Sequence, residues 1–527
     1  MSPLIALAIL GLSPLVLGAP EVFISQGKAV GQILRSRNGR EYAAFTGIPY
    51  AKPPVAELRL MPPQPASGWT GVFNATKISP MCFQKAFLRY QHGLQGQEDC
   101  LYINVYTPKL DASYPVMVYV HGGGFNFGWT GTAMKSRYFM DEDVVVVTFS
   151  YRIGYLGFLS LEDDVLPGNY GLKDQILALE WVKKEIKNFG GNPDLITAFG
   201  ISAGGASTHY LCSSPKAKAL LKGCISQSGI AGSIWSLHVP GDAKQTATDF
   251  AKQHGCDTRN SSKLLSCLQS LPIDVFIRRL DVLHLTNFPA PVIEKNSETA
   301  VITQWPPSHS DFPWIAGVMA NEGQLFTEFI KDFATIPQKM AFYLGGNIVL
   351  ARALRTPTPL ISSYQIIRRF FHLKNFFRPL ASYEKFFTEL FWLYPALLAI
   401  DRHTGPKYFY KFGYTGGPTL WEQASNKSLN MEGACHGNDA PYFFDLSNYF
   451  EPEGWPGPKD IELSQNLIKM WVNFAKYQVP SIDIVQWDQF GKDGNYLDIT
   501  NEGISMKKYS DYREIIDFWN NIHLPIH

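Results

Sequence analysis

Three groups of residues in this chain have types and spacing suited to acyl-group chemistry. The first is Gly200-Ile201-Ser202-Ala203-Gly204, set between the apolar run Leu195 to Phe199 and the helix-compatible segment Gly205 to Tyr210. A serine between two such glycines can occupy a sharp strand-to-helix turn that lifts its hydroxyl clear of a sheet. Taken alone, the pattern suits a glycine-rich turn around an inert serine equally well. The second group is His121-Gly122-Gly123-Gly124, directly after the strand-like Val116 to Val120. Amides of Gly123 and Gly124, unobstructed by side chains, could join the N–H of Ala203 as donors to an oxyanion. The third is His436, in the glycine-flanked loop Gly433-Ala434-Cys435-His436-Gly437-Asn438-Asp439. There an imidazole can reach into a cleft and serve the serine as base.

The other histidines after Ser202 that could serve, His372, His403, His523 and His527, lie in charged, helical or terminal contexts. The acid that orients the base is less determined by spacing. Glu322 closes the strand-like Pro313 to Ala320 and precedes Gly323, so it belongs at the sheet edge where Ser202 must lie. Sites of parallel sheets form beyond the carboxyl ends of the strands, which favours Glu322 over the rivals Asp439 and Glu432.

These groups need a scaffold, and the periodicity supplies one. Val116 to Val120, Val144 to Phe149 and Leu195 to Phe199 are apolar runs of the kind that strands buried on both faces require, and Gly223 to Gln227 reads as a further strand. A helix from about Leu172 to Lys187, with Ile176, Leu179, Val182 and Ile186 on one face, separates two of them. The alternation predicts an α/β fold with a large, mostly parallel sheet. Asn38-Gly39 marks an early hairpin between Ile33 to Arg37 and Glu41 to Phe45. Residues 326–400 read as helices over one end of the sheet, Tyr408 to Tyr414 as a late strand, and Leu463 to Phe474 as a final amphipathic helix.

The chain has 527 residues, 47 basic against 46 acidic, and a net charge of +1, so no basic stripe argues for nucleic acid. Residues 1–18 are apolar, end in small residues and contain Pro14, which predicts a cleaved secretory signal ahead of one domain over 19–527. No later stretch reaches the length of a membrane anchor. Of seven cysteines, Cys82 and Cys100 bracket one loop and Cys256 and Cys267 a shorter one, and spacing pairs them as two disulfides. Cys212, Cys224 and Cys435 sit in apolar or glycine-rich settings and read as buried thiols. The lack of a CxxC motif argues against structural zinc, and the chemistry at hand requires no metal or cofactor. Asn74, Asn260 and Asn426 head glycosylation sequons.

Together with Gln97 to Tyr106, Gly168-Asn169-Tyr170-Gly171-Leu172-Lys173-Asp174-Gln175 and Glu322-Gly323, these motifs resemble the type-B carboxylesterases of the α/β-hydrolase fold, the secreted insect members most closely. The resemblance implies Ser202, Glu322 and His436 as a triad and Gly123, Gly124 and Ala203 as an oxyanion hole. It supports the same two disulfides, a helical insertion over the site, a small-molecule ester as substrate, and an acyl-pocket role for Trp235. Related cholinesterases carry an acidic residue before the serine and a tryptophan in the first disulfide loop. Ile201 and the Trp-free stretch Cys82 to Cys100 offer a cation neither charge nor π-face. Juvenile hormone esterases also resemble the chain, but show Gln before the serine and Arg-Phe where Arg59-Leu60 stands here. A non-catalytic binding or adhesion protein on the same fold is the rival from another class.

Overall fold

In the computed structural model, residues 18–527 are described apart from 86–92, 129–134, 278–288, 308–310, 334–353, 372–379, 418–432, 448–454 and 525–527. An 11-stranded sheet runs through the chain. Its strands in chain order are β1 (Gln32–Arg35), β2 (Glu41–Pro49), β3 (Tyr102–Thr107), β4 (Tyr114–Val120), β5 (Val145–Phe149), β6 (Gly191–Ile201), β7 (Gly223–Gln227), β8 (Trp314–Met319), β9 (Lys407–Phe412), β10 (Asn495–Thr500) and β11 (Gly503–Lys508). Their spatial order is β11-β10-β9-β8-β7-β6-β4-β5-β3-β2-β1. The block from β10 to β5 is parallel throughout. Antiparallel pairs flank it, including the expected Asn38-Gly39 hairpin between β1 and β2.

The central strands are apolar without interruption because both faces are covered. On β4, Val116, Val118 and Val120 enter the core beneath the helices on one face, while Met117 and Tyr119 enter the core on the other. Helices α1 (Tyr170–Glu185) and α2 (Ala203–Ser213) pack on or beside this block. The expected helix from Leu172 to Lys187 thus begins two residues early and tightens into a 3₁₀ turn at Ile186–Phe189. The region expected to be helical supplies α3 (Leu380–Thr388), a π turn at Glu389–Leu393 and α4 (Tyr394–Arg402). The amphipathic helix around Leu463 is α5 (Pro458–Tyr477), but it is not the last element. The β10–β11 hairpin and α6 (Tyr512–Asn520) follow it, and α6 buries Ile515, Ile516 and Trp519.

The Gly168 to Gln175 stretch proves to be an electrostatic anchor. Arg152 donates from Nε and Nη2 to both carboxylate oxygens of Asp174, at 2.9 and 2.7 Å, and its backbone amide adds a third bond at 3.0 Å. Both side chains are buried. Lys173 pairs with buried Glu294 at 2.6 Å, and Asn169 ties the same carboxylate and the backbone of Val292 to the start of α1. Arg59 clamps Glu98 and the carbonyls of Gln269 and Leu271, joining the Cys82–Cys100 loop to the segment just after Cys267.

Burial pushes the Asp174 carboxyl up, and the adjoining guanidinium opposes that push. Arg152→Ala strands a buried carboxylate, so we expect a loss of about 3–5 kcal/mol in urea unfolding. Arg152→Met combined with Asp174→Leu removes both charges and should cost less than Arg152→Ala. Equal losses would mean that packing, not charge, makes this site stable.

Candidate active site

β6 ends at Ile201, and Ser202 follows with φ 61° and ψ −125° before α2 begins at Ala203. Its amide donates to the carbonyl of Gln227 at 2.8 Å, which fastens the turn to the end of β7. Small residues are required because the turn presses against β4: a Cβ on Gly204 would lie 2.0 Å from the carbonyl oxygen of Val120. Ser202 retains partial exposure while Ala203 is buried. As the first helical residue of α2, Ala203 has an amide with no partner inside the helix.

The glycine loop after β4 supplies the neighbouring donors. Gly123 has φ 115° and Gly124 has φ 57°, values that only glycine adopts freely. A Cβ on Gly123 would also meet the Phe127 carbonyl at 1.8 Å. Among the described residues none accepts a hydrogen bond from the amides of Gly123, Gly124 or Ala203. His121 keeps the loop in place and takes no part in the acid–base set. Its ring stacks on Tyr151 at 4.2 Å, and its Nδ1 meets the Gly122 carbonyl at 2.9 Å.

Glu322 and His436 are brought together. The Glu322 carboxylate is fully buried beyond the end of β8, accepting from the Met319 amide at 2.8 Å and meeting His436 Nδ1 at 2.6 Å. The Asn321 amide donates to the Ala434 carbonyl at 3.0 Å, so the backbone itself joins the acid's turn to the histidine loop. β6 and β8 flank β7, which sets Ser202 and Glu322 at the same carboxyl edge. Asp439, the rival acid, is bound elsewhere. Its Oδ2 accepts from Gln227 Nε2 at 2.7 Å and from the Tyr410 hydroxyl at 3.4 Å, and burial pushes its carboxyl up to about 6. His403 meets the Phe312 carbonyl, and His523 is exposed. Glu432, His372 and His527 lie outside the described residues.

An aromatic wall surrounds the histidine. Trp392 lies 5.0 Å from the His436 ring, and Phe326 lies 5.0 Å from Phe391 and 5.6 Å from Trp392. Trp235 is half-buried, 6.3 Å from Phe125 beside the glycine loop, and donates from Nε1 to the Phe391 carbonyl at 3.0 Å. Ile201 is buried in the apolar cluster with Tyr119, Phe199 and Phe444. Sequence reasoning missed Phe326, Phe391 and Trp392. Pro395 inside a helical run was the available signal that something unusual happens one turn earlier.

Cys82–Cys100 and Cys256–Cys267 are bonded as expected. The expectation of free thiols at Cys212 and Cys224 is corrected: they form a third disulfide, Cα to Cα 6.5 Å. α2 turns back over the sheet and β7 returns beside β6, so the end of the helix meets the strand that follows it. Apolar surroundings concealed that proximity in the sequence. Cys435 is free and buried. Asn74 and Asn260 are exposed, and Asn260 caps a helix through the Lys263 amide. Asn426 and residues 1–17 of the expected signal lie outside the described residues. No described helix is long and apolar enough to cross a membrane.

A strand-turn-serine at the carboxyl edge of a mostly parallel sheet, with a buried Glu–His pair on the same edge, defines an α/β-hydrolase architecture. The model of the carboxylesterase family matches residues 18–519, and the chain belongs to that family. It is 34% identical to venom carboxylesterase-6 of Apis mellifera, over 95% of this chain and 94% of that protein. It is 30% identical to the juvenile hormone esterase of Tribolium castaneum, over 88% and 84%. Among solved structures it is similar to the juvenile hormone esterase of Manduca sexta with OTFP covalently attached. That match has a TM-score of 0.84 and 27% identity, covering 96% of this chain and 99% of the other.

Three buried imidazoles make stability depend on pH. Burial pushes His121 and His403 down to about 4 and His209 to about 3, so the folded chain keeps them neutral where the unfolded chain protonates near 6.5. Their contribution is fully present above 6.5 and is lost as pH falls toward 4. Each proton bound only by the unfolded chain costs about 1.4 kcal/mol per pH unit. Asp439 acts in the opposite sense, gaining its proton in the fold near 6, as do the raised carboxyls of Glu142, Asp174 and Glu389. Carboxyls start from about 4, however, and the imidazoles from about 6.5, so the imidazoles dominate above about pH 5.5. Urea midpoints should therefore drop between pH 7.5 and 5.5. In His209→Phe the slope should shrink by about one proton, and an unchanged slope would remove His209 from this account.

Proposed function

We propose that the chain hydrolyses uncharged, fairly apolar carboxylic esters through an acyl-enzyme. Ser202 attacks the ester carbonyl, His436 takes its proton and returns it to the leaving alcohol, and Glu322 holds the imidazole and stabilises its cation. The amides of Gly123, Gly124 and Ala203 receive the oxyanion. Water then cleaves the acyl group by the same route. The observation that carries this reading is the buried 2.6 Å contact of Glu322 with His436, on the same carboxyl edge of the sheet as the strained, partly exposed Ser202 turn. Family membership supports it, as does the unengaged state of the three amides among the described residues.

The substrate reading rests on what surrounds the site. Trp235, Phe326, Phe391 and Trp392 offer apolar area, and Ile201 brings no negative charge to the position before the serine. A juvenile hormone ester is the second reading, supported by likeness over nearly the full length to two juvenile hormone esterases. We further propose secretion after loss of residues 1–18, a single domain over 19–527, and glycosylation at exposed Asn74 and Asn260, the likeness to a venom carboxylesterase supporting export.

Ser202→Ala should lower kcat/KM for 4-nitrophenyl butanoate by about 10⁴-fold or more. Wild-type protein no faster than that variant would refute the enzyme and leave the binding-protein alternative. Between matched neutral and quaternary-ammonium esters, the neutral one should turn over at least about tenfold faster. Parity would show that Ile201 does not exclude cations.

A further inference from the structure

The turn that carries the proposed acid is gripped from the helical insertion. α3 holds Glu384 and Thr388 four residues apart, so the two side chains share one face of the helix with about 5–6 Å between their Cβ atoms. Glu384 Oε1 accepts from Asn321 Nδ2 at 2.7 Å, and Thr388 Oγ1 accepts from the Gly323 amide at 2.8 Å. The residues so held are the immediate neighbours of Glu322 on either side. At Gly323 the turn lies directly against the helix backbone. A Cβ there would come within 2.1 Å of the Glu384 carbonyl oxygen and 2.7 Å of the Thr388 amide nitrogen, so only glycine permits the approach.

The grip extends to the histidine loop. Asn321 donates from its backbone to the Ala434 carbonyl at 3.0 Å, two residues before His436, and its Oδ1 would lie 2.6 Å from a Cβ on Gly433. One residue thus joins α3, the Glu322 turn and the loop of the base. The Glu322 carboxyl group meets the Met319 amide and His436 Nδ1, which fixes the far end of its side chain. The bonds from α3 fix the backbone from which that side chain starts. Contacts that only fastened the insertion to the sheet could fall anywhere along their interface, whereas these fall on the two residues that frame the acid. We propose that Asn321, Glu384 and Thr388 are positioning residues for the Glu322–His436 pair, so that the helical insertion sets the geometry of proton transfer as well as forming the aromatic wall. This rests on the ester-hydrolase reading of the same site. A misplacement of about 1 Å in such a pair can lower a rate by about 10²-fold.

The test measures kcat and KM of the full-length protein for 4-nitrophenyl butanoate, with Ser202→Ala as the baseline. Glu384→Ala combined with Thr388→Val removes both acceptors and should lower kcat by about 10–100-fold while KM stays within about threefold. Glu384→Gln combined with Thr388→Ser keeps an acceptor oxygen at each place and should hold kcat within about threefold of wild type. A cycle with Glu322→Gln separates positioning from general support. If the clasp acts through the acid, the loss caused by Glu384→Ala with Thr388→Val should shrink to within about threefold in that background. An unchanged kcat in the doubly truncated variant, a loss that falls on KM alone, or an undiminished loss in the Glu322→Gln background overturns the inference. Should the double variant not fold, Glu384→Ala against Glu384→Gln and Thr388→Val against Thr388→Ser decide, each truncation being expected to have the lower kcat by at least about threefold and parity in both pairs overturning the inference. No Ser202-dependent turnover by the wild-type protein would instead refute the ester-hydrolase reading on which the inference rests.

Discussion

Ser202 has a backbone conformation that an L-residue adopts only under compulsion, with φ 61° and ψ −125°. Holding a non-glycine residue there costs on the order of 1–3 kcal/mol, and such a conformation persists only where its surroundings over-determine it. The surroundings do so here from three sides. β7 captures the Ser202 amide, α2 uses the Ser202 carbonyl for the Ala206 amide at 3.0 Å, and β4 presses its Val120 carbonyl against Gly200 and Gly204. A Cβ at Gly229, just after β7, would come within 1.8 Å of the Ser202 carbonyl oxygen. Each of these contacts comes from a different strand connection. The turn can therefore form only once the parallel block has assembled, and the central sheet is a precondition of the chemistry as well as its support.

The second constraint is the cost of charge in that interior. Glu322 is fully buried, where its side chain accepts from the Met319 amide and meets the His436 imidazole. Asp439 lies in the same interior, and the charge of Glu322 adds to the burial that pushes its carboxyl up. Two carboxylates near one imidazole would compete for it if both could reach it. Gln227 prevents that by turning its amide toward Asp439 while its Oε1 accepts from Trp471 at 3.3 Å. The acid that serves the histidine is thus chosen partly by what occupies its rival. The Arg152–Asp174 and Lys173–Glu294 pairs solve the same problem at α1 by direct neutralisation.

Much of this was legible in the sequence because it depends on local patterns. Continuous apolar runs identify strands buried on both faces, and the structure has β4, β5, β6, β7 and β8 where those runs lie. The glycine spacing around Ser202 and the position of Glu322 at a strand end are likewise local and favour Glu322 over Asp439 and Glu432, while its pairing with His436 is what the family resemblance implies. What could not be read depends on how the chain returns upon itself. Cys212 and Cys224 looked like core thiols because nothing in a linear apolar context reveals that α2 folds back beside β7. The role of Gly168 to Gln175 as a paired-charge anchor needs Arg152 and Glu294, which sequence places 22 residues before Asp174 and far beyond Lys173. β10, β11 and α6 went unassigned because their alternating or half-exposed patterns are short and the strands lie at the sheet's edge.

The aromatic wall shows how one residue without chemistry of its own can organise a site. Pro395 has no amide hydrogen, so in a regular α-helix the carbonyl of Phe391, four residues earlier, would be left without a partner. The chain answers with a π turn over Glu389–Leu393, and the freed carbonyl accepts the indole of Trp235 from the far side of the sheet's carboxyl edge. Glu389 anchors the outer side of the same turn, accepting from Arg369 and Trp519, each at 2.9 Å. The inner side is then free to carry Phe391 and Trp392 toward His436. π turns inside α-helices recur at functional sites, and here the cause is explicit. A backbone vacancy created by proline is filled by a pocket side chain, so the helical insertion and the site's wall are fixed by the same bond.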